Sequence, residues 1–203
     1  ARDGVAVEQA DIRDLASLRA VGERHRITGI VHLAGSMPWP PNADAPVEDA
    51  RHALGSLFNI MQVAQEWGVR RVGLASTIGV YVSSGLNEGA LTEDMLLSIG
   101  AAHPIPTFKK VGELLGGYLA DATGIEVVNY RISGTWGPRG HRDPFFAAPA
   151  LIHAAARGVA PDLSDLIAPP HAEDALDLCY VKDTGRAIAS LQLADKLNHA
   201  TYN

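Results

Sequence analysis

The stretch Val69-Arg70-Arg71-Val72-Gly73-Leu74-Ala75, followed by Ser76-Thr77, has the length and the apolar content of a buried strand. Before it, apolar residues recur at helical spacing over 47–67, and Gly68 stands where such a helix ends. After it, a second helical pattern covers 106–123 and stops at Gly124. A strand between two long helices is typical of parallel βαβ units.

The same alternation continues in both directions from this unit. Further strands are predicted at 5–9, 27–33, 125–130 and 176–181, and again from Ala200 onward. Further helices are predicted at 15–24, with Asp14 as N-cap, at 146–157 and at 184–197. Proline and glycine interrupt 36–46 and 82–103, which are predicted loops. The expected fold class is α/β, with a doubly wound, Rossmann-like parallel sheet and part of a small substrate lobe.

Composition excludes several classes of protein. The 203 residues carry a net charge of −6, so no electrostatic footprint for nucleic acid is expected. No apolar run approaches the ~20 residues that span a bilayer. Cys179 is the only cysteine and is expected to be a small buried residue. The eight histidines form no close ligand set, so we expect no metal site. We predict a soluble, cytoplasmic protein without membrane partners.

Small and hydroxyl residues follow three of the predicted strands. Ligands of such sheets bind beyond the carboxyl ends of the strands, where these residues would meet. The strand exits are Ala34-Gly35, Ser76-Thr77 and Ser133-Gly134. The sequence therefore predicts a crevice for a flat ligand at this edge.

Six segments, in order along the chain, resemble one known family. They are Asp11-Ile12, His32-Leu33-Ala34-Gly35, Ser76-Thr77-Ile78-Gly79-Val80-Tyr81, Lys109 with Glu113, Arg131 with Gly137-Pro138-Arg139, and Asp177 to Asp183. Together they are similar to the motifs of the extended short-chain dehydrogenase/reductase family, of the NAD-dependent epimerase/dehydratase type. Each motif alone is weak, but six in register indicate this family.

The resemblance implies NAD or NADP as cofactor, with NAD favoured, and a small-molecule substrate. It implies catalytic roles for Thr77 and Lys109. It implies that the following residues bind the cofactor: Asp11, Ile12, Leu33, Ala34, Gly35, Ala75, Ser76, Lys109, Arg131 and Ser133. It also makes a homodimer through helices 47–67 and 106–123 an expectation.

The resemblance divides the chain into 1–138 of the dinucleotide-binding core, 139–180 of the substrate lobe, and 181–203 returning to the core. The family's first βαβ unit, with its Gly-rich turn, has no counterpart here. The sequence begins without methionine and ends within a strand pattern. We therefore expect it to be the central portion of a longer protein.

The chain departs from the family at the residue that transfers the proton. The family motif is Tyr-x-x-x-Lys, and four residues before Lys109 stands Ile105, which has no proton to give. His103 is a speculative surrogate, although a loop histidine is more often only solvated.

At the two positions that contact nucleotide sugars in the family stand Gly134 and Leu176. A nucleotide-diphosphate sugar is therefore a poor substrate prediction.

The residues and the resemblance together allow three functions. The first is an NAD(P)-dependent oxidoreductase or epimerase-like enzyme for a small carbonyl or hydroxyl substrate. The second is a cofactor-binding sensor or scaffold that has lost hydride transfer because of Ile105. In the third, a desolvated Lys109 does the acid–base work itself. For Thr77, capping of the backbone is as good an interpretation as substrate binding.

Overall fold

The computed structural model describes residues 4–35, 44–82, 90–101, 103–140, 147–164, 171 and 177–203. Contacts divide the chain into two compact units, Ala1–Ile132 with Ser190–Asn203, and Ser133–Ala189. The helices are α1 (Leu15–Arg24), α2 (Pro46–Glu66), α3 (Pro104–Thr123), α4 (Ala147–Arg157) and α5 (Val181–Leu193). The strands are β1 (Gly29–His32), β2 (Arg71–Thr77), β3 (Glu126–Ile132), β4 (Gly134–Trp136), β5 (Leu178–Tyr180) and β6 (Thr201–Tyr202).

The first unit holds a four-stranded parallel sheet in the order β1-β2-β3-β6. In register, His32 lies beside Leu74 and Leu74 beside Asn129, so the carboxyl ends of the first three strands meet at one edge. The second unit holds α4 and the parallel pair β4-β5. The predicted α/β class with a parallel, Rossmann-like sheet is confirmed, although β4 was not predicted.

The core of the first unit forms where α1, α2 and α3 cover β2 and β3. Its fully buried members include Val63, Ala64 and Val72. Gly116 lets α3 approach the sheet closely, because a Cβ there would lie 3.0 Å from Leu74 Cδ1 and 3.2 Å from Val127 Cγ1. Close packing of α3 fixes the height of its side chains above the strand ends.

Local signals in the sequence set the start of α1 and the end of α3. The Asp14 carboxylate accepts a hydrogen bond from the Ala16 amide and caps α1, as predicted. Gly124 ends α3 with a left-handed φ of 73°, also as predicted. The last turn of α5 is ended instead by tertiary contacts: the buried Arg71 donates to the carbonyls of Leu191, Gln192 and Ala194.

Several predicted elements differ in the structure. The strand predicted at 5–9 is absent apart from an isolated bridge at Val5, since neither described sheet includes these residues. The Glu8 carboxylate accepts hydrogen bonds from Arg24 and His25. The strand predicted at 27–33 is shorter, Gly29–His32, and its residues alternate between exposed and half-buried at the outer position of the described sheet. Pro104 rather than Pro106 begins α3. The last helix, α5, begins three residues and ends four residues earlier than predicted.

Some sequence predictions fall outside the described residues, namely the loop at 36–43, residues 83–89 of the long loop, and Leu176. Within the described part of the chain, we find no helix long and apolar enough to cross a membrane.

Candidate functional site

The sheet face beneath α2 and α3 changes from apolar to polar along the strands. Near the amino ends, the row in register is Ile30, Val72 and Val127. This row packs into the core. Two residues further on, the row is His32, Leu74 and Asn129, and after it come Ser76 and Arg131. Because in-register neighbours point to the same face, four polar side chains are directed at α3 near the carboxyl ends of the strands.

The first turns of α3 supply the remaining groups. Pro104 and Pro106 occupy the start of the helix, where a missing amide hydrogen costs nothing, and Pro106 is fully buried. Ile105 lies in the first turn, one turn before Lys109. Lys109 and Glu113 are four residues apart and share one face of the helix, which is the face above the polar end of the sheet.

A buried ion pair joins α3 to β3. The Arg131 guanidinium donates to both carboxylate oxygens of Glu113, at 3.0 Å from Nε and 2.8 Å from Nη2. The Ser76 hydroxyl donates a short hydrogen bond to the same carboxylate. The Arg131 and Glu113 side chains are 5% and 11% exposed, so the pair is shielded from water. Glu113 is therefore fully engaged with Arg131 and Ser76.

The same arginine connects the site to two more distant segments. Arg131 Nη1 donates to Tyr81 Oη at 2.5 Å and to the Glu93 carbonyl at 3.1 Å. The Tyr81 hydroxyl lies 2.8 Å from Asn203 Oδ1, and Asn203 in turn donates to the Leu91 carbonyl. Arg131 thus ties the segment at 91–93 and the end of β6 to the strand ends.

A cavity of about 60 Å³ lies between the strand ends and the two helices. Its polar lining groups belong to His32, Ser76, Lys109, Glu113 and Asn129. The remaining lining residues are Ala34, Gly35, Ala53, Leu54, Ser56, Leu57, Leu74, Ala75, Phe108 and Gly112.

Lys109 and its neighbour Lys110 have different surroundings. Lys110 Nζ donates to the carbonyls of Ser98 at 2.7 Å and Gly100 at 2.5 Å, and so holds the loop before α3. Lys109 lines the cavity and makes no ion pair or hydrogen bond with any described residue. Burial lowers the pKa of the Lys109 ammonium below its ordinary value. Among the described residues that line the cavity, Lys109 is thus the one with a cationic side chain.

Two further polar groups of the cavity have unusual surroundings. Burial, helped by the positive charge of Lys109, lowers the pKa of the His32 imidazole to about 4, so His32 is neutral at physiological pH. Asn129 is 6% exposed, and no described residue donates to its Oδ1. Its Nδ2 makes only long contacts, of 3.3 Å to Thr201 Oγ1 and 3.4 Å to the Ala200 carbonyl.

The structure brings some of the predicted site residues together and leaves others apart. Ala34, Gly35, Ala75, Ser76 and Lys109 line one cavity. Thr77 lies at the end of β2, where its hydroxyl accepts from the Gly79 amide at 3.1 Å and caps the short turn Ile78–Tyr81. This contact corresponds to the capping interpretation of Thr77.

The other predicted residues lie outside the cavity. The Asp11 carboxylate is paired with Arg13, whose guanidinium lowers the Asp11 pKa to about 2, and the Ile12 carbonyl accepts from Asn59 of α2. Leu33 is exposed, and Ser133 belongs to the second unit. His103 directly precedes α3.

Sequence reasoning did not select His32 or Asn129 as site residues. His32 could have been selected, because it begins the motif His32-Leu33-Ala34-Gly35 and lies at the end of the strand predicted at 27–33. Asn129 gave a weaker signal: an amide in the middle of an otherwise apolar strand needs a reason to be buried. Among the described residues, no group of three or more histidine, cysteine or acidic side chains could hold a metal ion.

Known proteins resemble this chain along its whole length. The sequence model of the NAD dependent epimerase/dehydratase family matches residues 1–203. The L-arabinose 1-dehydrogenase (NAD(P)(+)) of Haloferax volcanii is 30% identical over 141 residues, which are 64% of this chain and 53% of that protein. The chain spans about half the length of the curated relatives it matches.

Solved structures of known proteins share the fold of this chain. The L-threonine 3-dehydrogenase of Trypanosoma brucei superimposes with a TM-score of 0.80 at 18% identity, over 99% of this chain and 61% of that one. The UDP-glucose 4-epimerase of Thermus thermophilus, solved with NAD, gives 0.69 at 21% identity, over 100% of this chain and 64% of that one. At this identity the structures show a shared fold. With the family match over all 203 residues, the chain belongs to the NAD dependent epimerase/dehydratase family, whose cofactor is NAD(P).

Proposed function

We propose that this chain carries the core of an NAD(P)-dependent oxidoreductase or epimerase-like enzyme that acts on a small carbonyl or hydroxyl compound. One observation carries the proposal: the half-buried Lys109 side chain lines a cavity at the carboxyl ends of the parallel strands, without an anionic partner among the described residues. A cation that is partly withdrawn from water without an anionic partner is costly for a protein, and such groups concentrate at functional sites.

The residues at the strand ends fit a nicotinamide cofactor. Ala34, Gly35 and Ala75 have almost no side chain, so a flat ring can approach their backbone. Lys109 and Ser76 would hold the sugar half of the cofactor through hydrogen bonds, and the unpartnered Asn129 Oδ1 shows that the lining still has an acceptor to offer. NAD is favoured over NADP by family resemblance only.

The chemistry is divided between the cofactor and the chain. When bound, the nicotinamide supplies or accepts a hydride. Lys109 is the cationic side chain of the cavity, and its lowered pKa makes the ammonium a better proton donor than an ordinary lysine. Glu113 does not compete for the proton of Lys109, because Arg131 and Ser76 occupy its carboxylate.

The proposed substrate is small and is not a nucleotide-diphosphate sugar. The family's nucleotide-sugar enzymes use an asparagine where this chain has Gly134. A Cβ at Gly134 would lie 2.7 Å from Leu178 Cδ2 and 3.2 Å from the Asp177 carbonyl, so an asparagine there would require both neighbours to shift. The relatedness to a sugar dehydrogenase supports a small polyol or sugar as the first compounds to try.

The second candidate function is a sensor or scaffold that binds the cofactor without turnover. Ile105 favours it, because this residue lies in the first turn of α3 with no proton to transfer. The two candidates differ in turnover and agree in cofactor binding.

Turnover separates the candidates. We expect nicotinamide fluorescence to change with time when the full-length protein is given NAD(H) or NADP(H) and a panel of sugars, small alcohols and aldehydes. Ile105→Tyr is expected to raise the rate about 10²-fold, since a phenol then stands one turn before Lys109. Phe108→Tyr, which adds a phenol elsewhere in the cavity lining, is the matched control and should not raise the rate of turnover. Cofactor binding without turnover in either protein would support the sensor, and absence of binding would contradict both candidates.

We also propose that the protein forms a homodimer through α2 and α3. Leu114 and Tyr118, one turn apart on α3, are 76% and 67% exposed, and Phe58 of α2 is exposed as well. Large apolar side chains at such exposure indicate a surface that is covered by a partner.

Leu114→Glu with Tyr118→Glu is expected to give monomers, because two charges would be buried in the interface. Sedimentation equilibrium would measure the change. Leu96→Glu, at an exposed leucine outside both helices, is the matched control and should leave the dimer intact. A wild-type protein that is monomeric at micromolar concentration would contradict the proposal.

A further inference from the structure

His32 and Lys109 line the same cavity and interact electrostatically. His32 ends β1, and Lys109 lies in the second turn of α3. The positive charge of Lys109 disfavours a second positive charge on the imidazole, which adds to the effect of burial on the His32 pKa. The lowered pKa of Lys109 itself is caused by burial, because a neutral His32 adds no charge beside it.

The other charged groups at this cavity do not disturb the pair. From α3, Glu113 faces the cavity, but its charge is balanced by the bidentate contact with Arg131 of β3. The cavity residues of α2 are Ala53, Leu54, Ser56 and Leu57, none of which titrates. β2 contributes Leu74, Ala75 and Ser76. His32 and Lys109 are therefore the two groups at this cavity whose protons can be exchanged.

Asn129 adds an acceptor to the same cavity. Its Oδ1 is buried and receives no hydrogen bond from a described residue, although a buried amide oxygen normally has a donor. The two groups of the cavity that can donate and have no described acceptor are the Lys109 ammonium and the His32 ring N–H. Lys109, His32 and Asn129 thus line one cavity, with two donors and one acceptor whose hydrogen bonds are not made to described residues.

We propose that Lys109 and His32, which line one cavity, form a coupled proton-transfer pair that takes the place of the missing tyrosine. This inference rests on the proposed function and extends it. During reduction, an N–H bond of the Lys109 ammonium breaks and an O–H bond forms on the substrate oxygen, while the carbonyl carbon receives the hydride of the reduced nicotinamide. The neutral amine of Lys109 remains.

The coupling then restores the ammonium. Once Lys109 is neutral, its charge no longer opposes a proton on His32, so the imidazole becomes more basic. His32 takes a proton from solvent and passes it to the amine of Lys109, which completes the balance of one proton and one hydride per carbonyl reduced. Oxidation of an alcohol follows the same steps in reverse. His32 acts through Lys109, so it is a positioning residue for the proton rather than a contact of the substrate.

The coupling can be measured without cofactor or substrate. We would follow the Cε1–H resonance of His32 by NMR from neutral to acidic pH in the full-length protein, assigned by its loss in His32→Gln. In the wild type, His32 is expected to remain neutral down to about pH 5, in keeping with its pKa of about 4. In Lys109→Met, its proton affinity is expected to rise about tenfold, since the neighbouring charge is gone.

Two control variants make the result specific. Lys109→Arg keeps the charge in the cavity and should keep the His32 titration low. Lys110→Met removes a lysine that is bound to loop carbonyls instead, and should also leave the titration unchanged. Lys109→Gln gives the same test as Lys109→Met if the methionine variant does not fold.

An identical His32 titration in the wild type and Lys109→Met would overturn the pair, as would a wild-type titration near the ordinary histidine value. That failure would leave the proposed function standing, because the titration needs neither cofactor nor substrate. Conversely, an intact coupling with no turnover on any compound would overturn the proposed function and, with it, the proton-transfer role of the pair.

Discussion

Replacing Arg131 with methionine is expected to lower the free energy of unfolding by about 3–5 kcal/mol. The substitution leaves the Glu113 carboxylate almost fully buried and without its cation. It also removes the donor that holds Tyr81 and the Glu93 carbonyl, so the segment at 91–93 and the end of β6 lose their common anchor. Breaking one half of a buried pair costs more than the pair contributes, because the remaining charge cannot reach water.

Urea denaturation of three variants would measure this effect. Arg131→Met should show the full loss, whereas Arg131→Met combined with Glu113→Gln should recover a large part of it, because no charge is then left buried. Arg131→Lys should fall between the wild type and Arg131→Met, since an ammonium cannot make the bidentate contact. If the free energy of unfolding of Arg131→Met were within about 1 kcal/mol of the wild-type value, the ion pair of Arg131 and Glu113 would be exposed to water and not part of the buried network.

Most of the fold could be predicted from the sequence, because the signals that determine the helices and strands are local. Apolar spacing located α2 and α3, Asp14 marked the start of α1, and Gly124 marked the end of α3. The strand predicted at 5–9 is not formed, because a strand also depends on residues that are distant in the sequence. Alternation describes a strand only if another strand lies alongside, and none of the described strands does so there.

The predicted site was incomplete because its interactions join distant residues. Arg131 was assigned to the cofactor by motif, but its ion pair connects it to Glu113 on another element, and Tyr81 meets Asn203 from 122 positions away. Lys109 and Lys110 are the same residue type in adjacent positions. Only packing shows that one holds loop carbonyls and the other faces a cavity.

Replacing Lys109 with methionine is expected to stabilise the protein by about 1 kcal/mol and to lower turnover about 10²–10⁴-fold. A methionine fits the half-buried path of the lysine stem without bringing an unpaired charge into the cavity. The same substitution removes the proposed proton donor of the site. Opposite effects on stability and activity are typical of a functional group that the fold tolerates at a cost.

The pH dependence of stability follows from the lowered Lys109 pKa. In the unfolded chain, Lys109 has its ordinary, higher pKa, so between the two pKa values the unfolded state binds the extra proton. Stability therefore rises with pH across that alkaline window and falls as pH decreases through it. Lys109→Met should remove this slope, while Lys110→Met should retain it.

The decisive comparison is turnover and urea denaturation of the wild type, Lys109→Met and Lys110→Met under the same conditions. We expect Lys109→Met to be more stable and almost inactive. We expect Lys110→Met to be less stable by about 1–2 kcal/mol, because it loses two hydrogen bonds to carbonyls, yet to keep its turnover within a few-fold. If Lys109→Met kept its turnover, or lost stability as Lys110→Met does, Lys109 would be a structural lysine and the site described here would not be the seat of the chemistry.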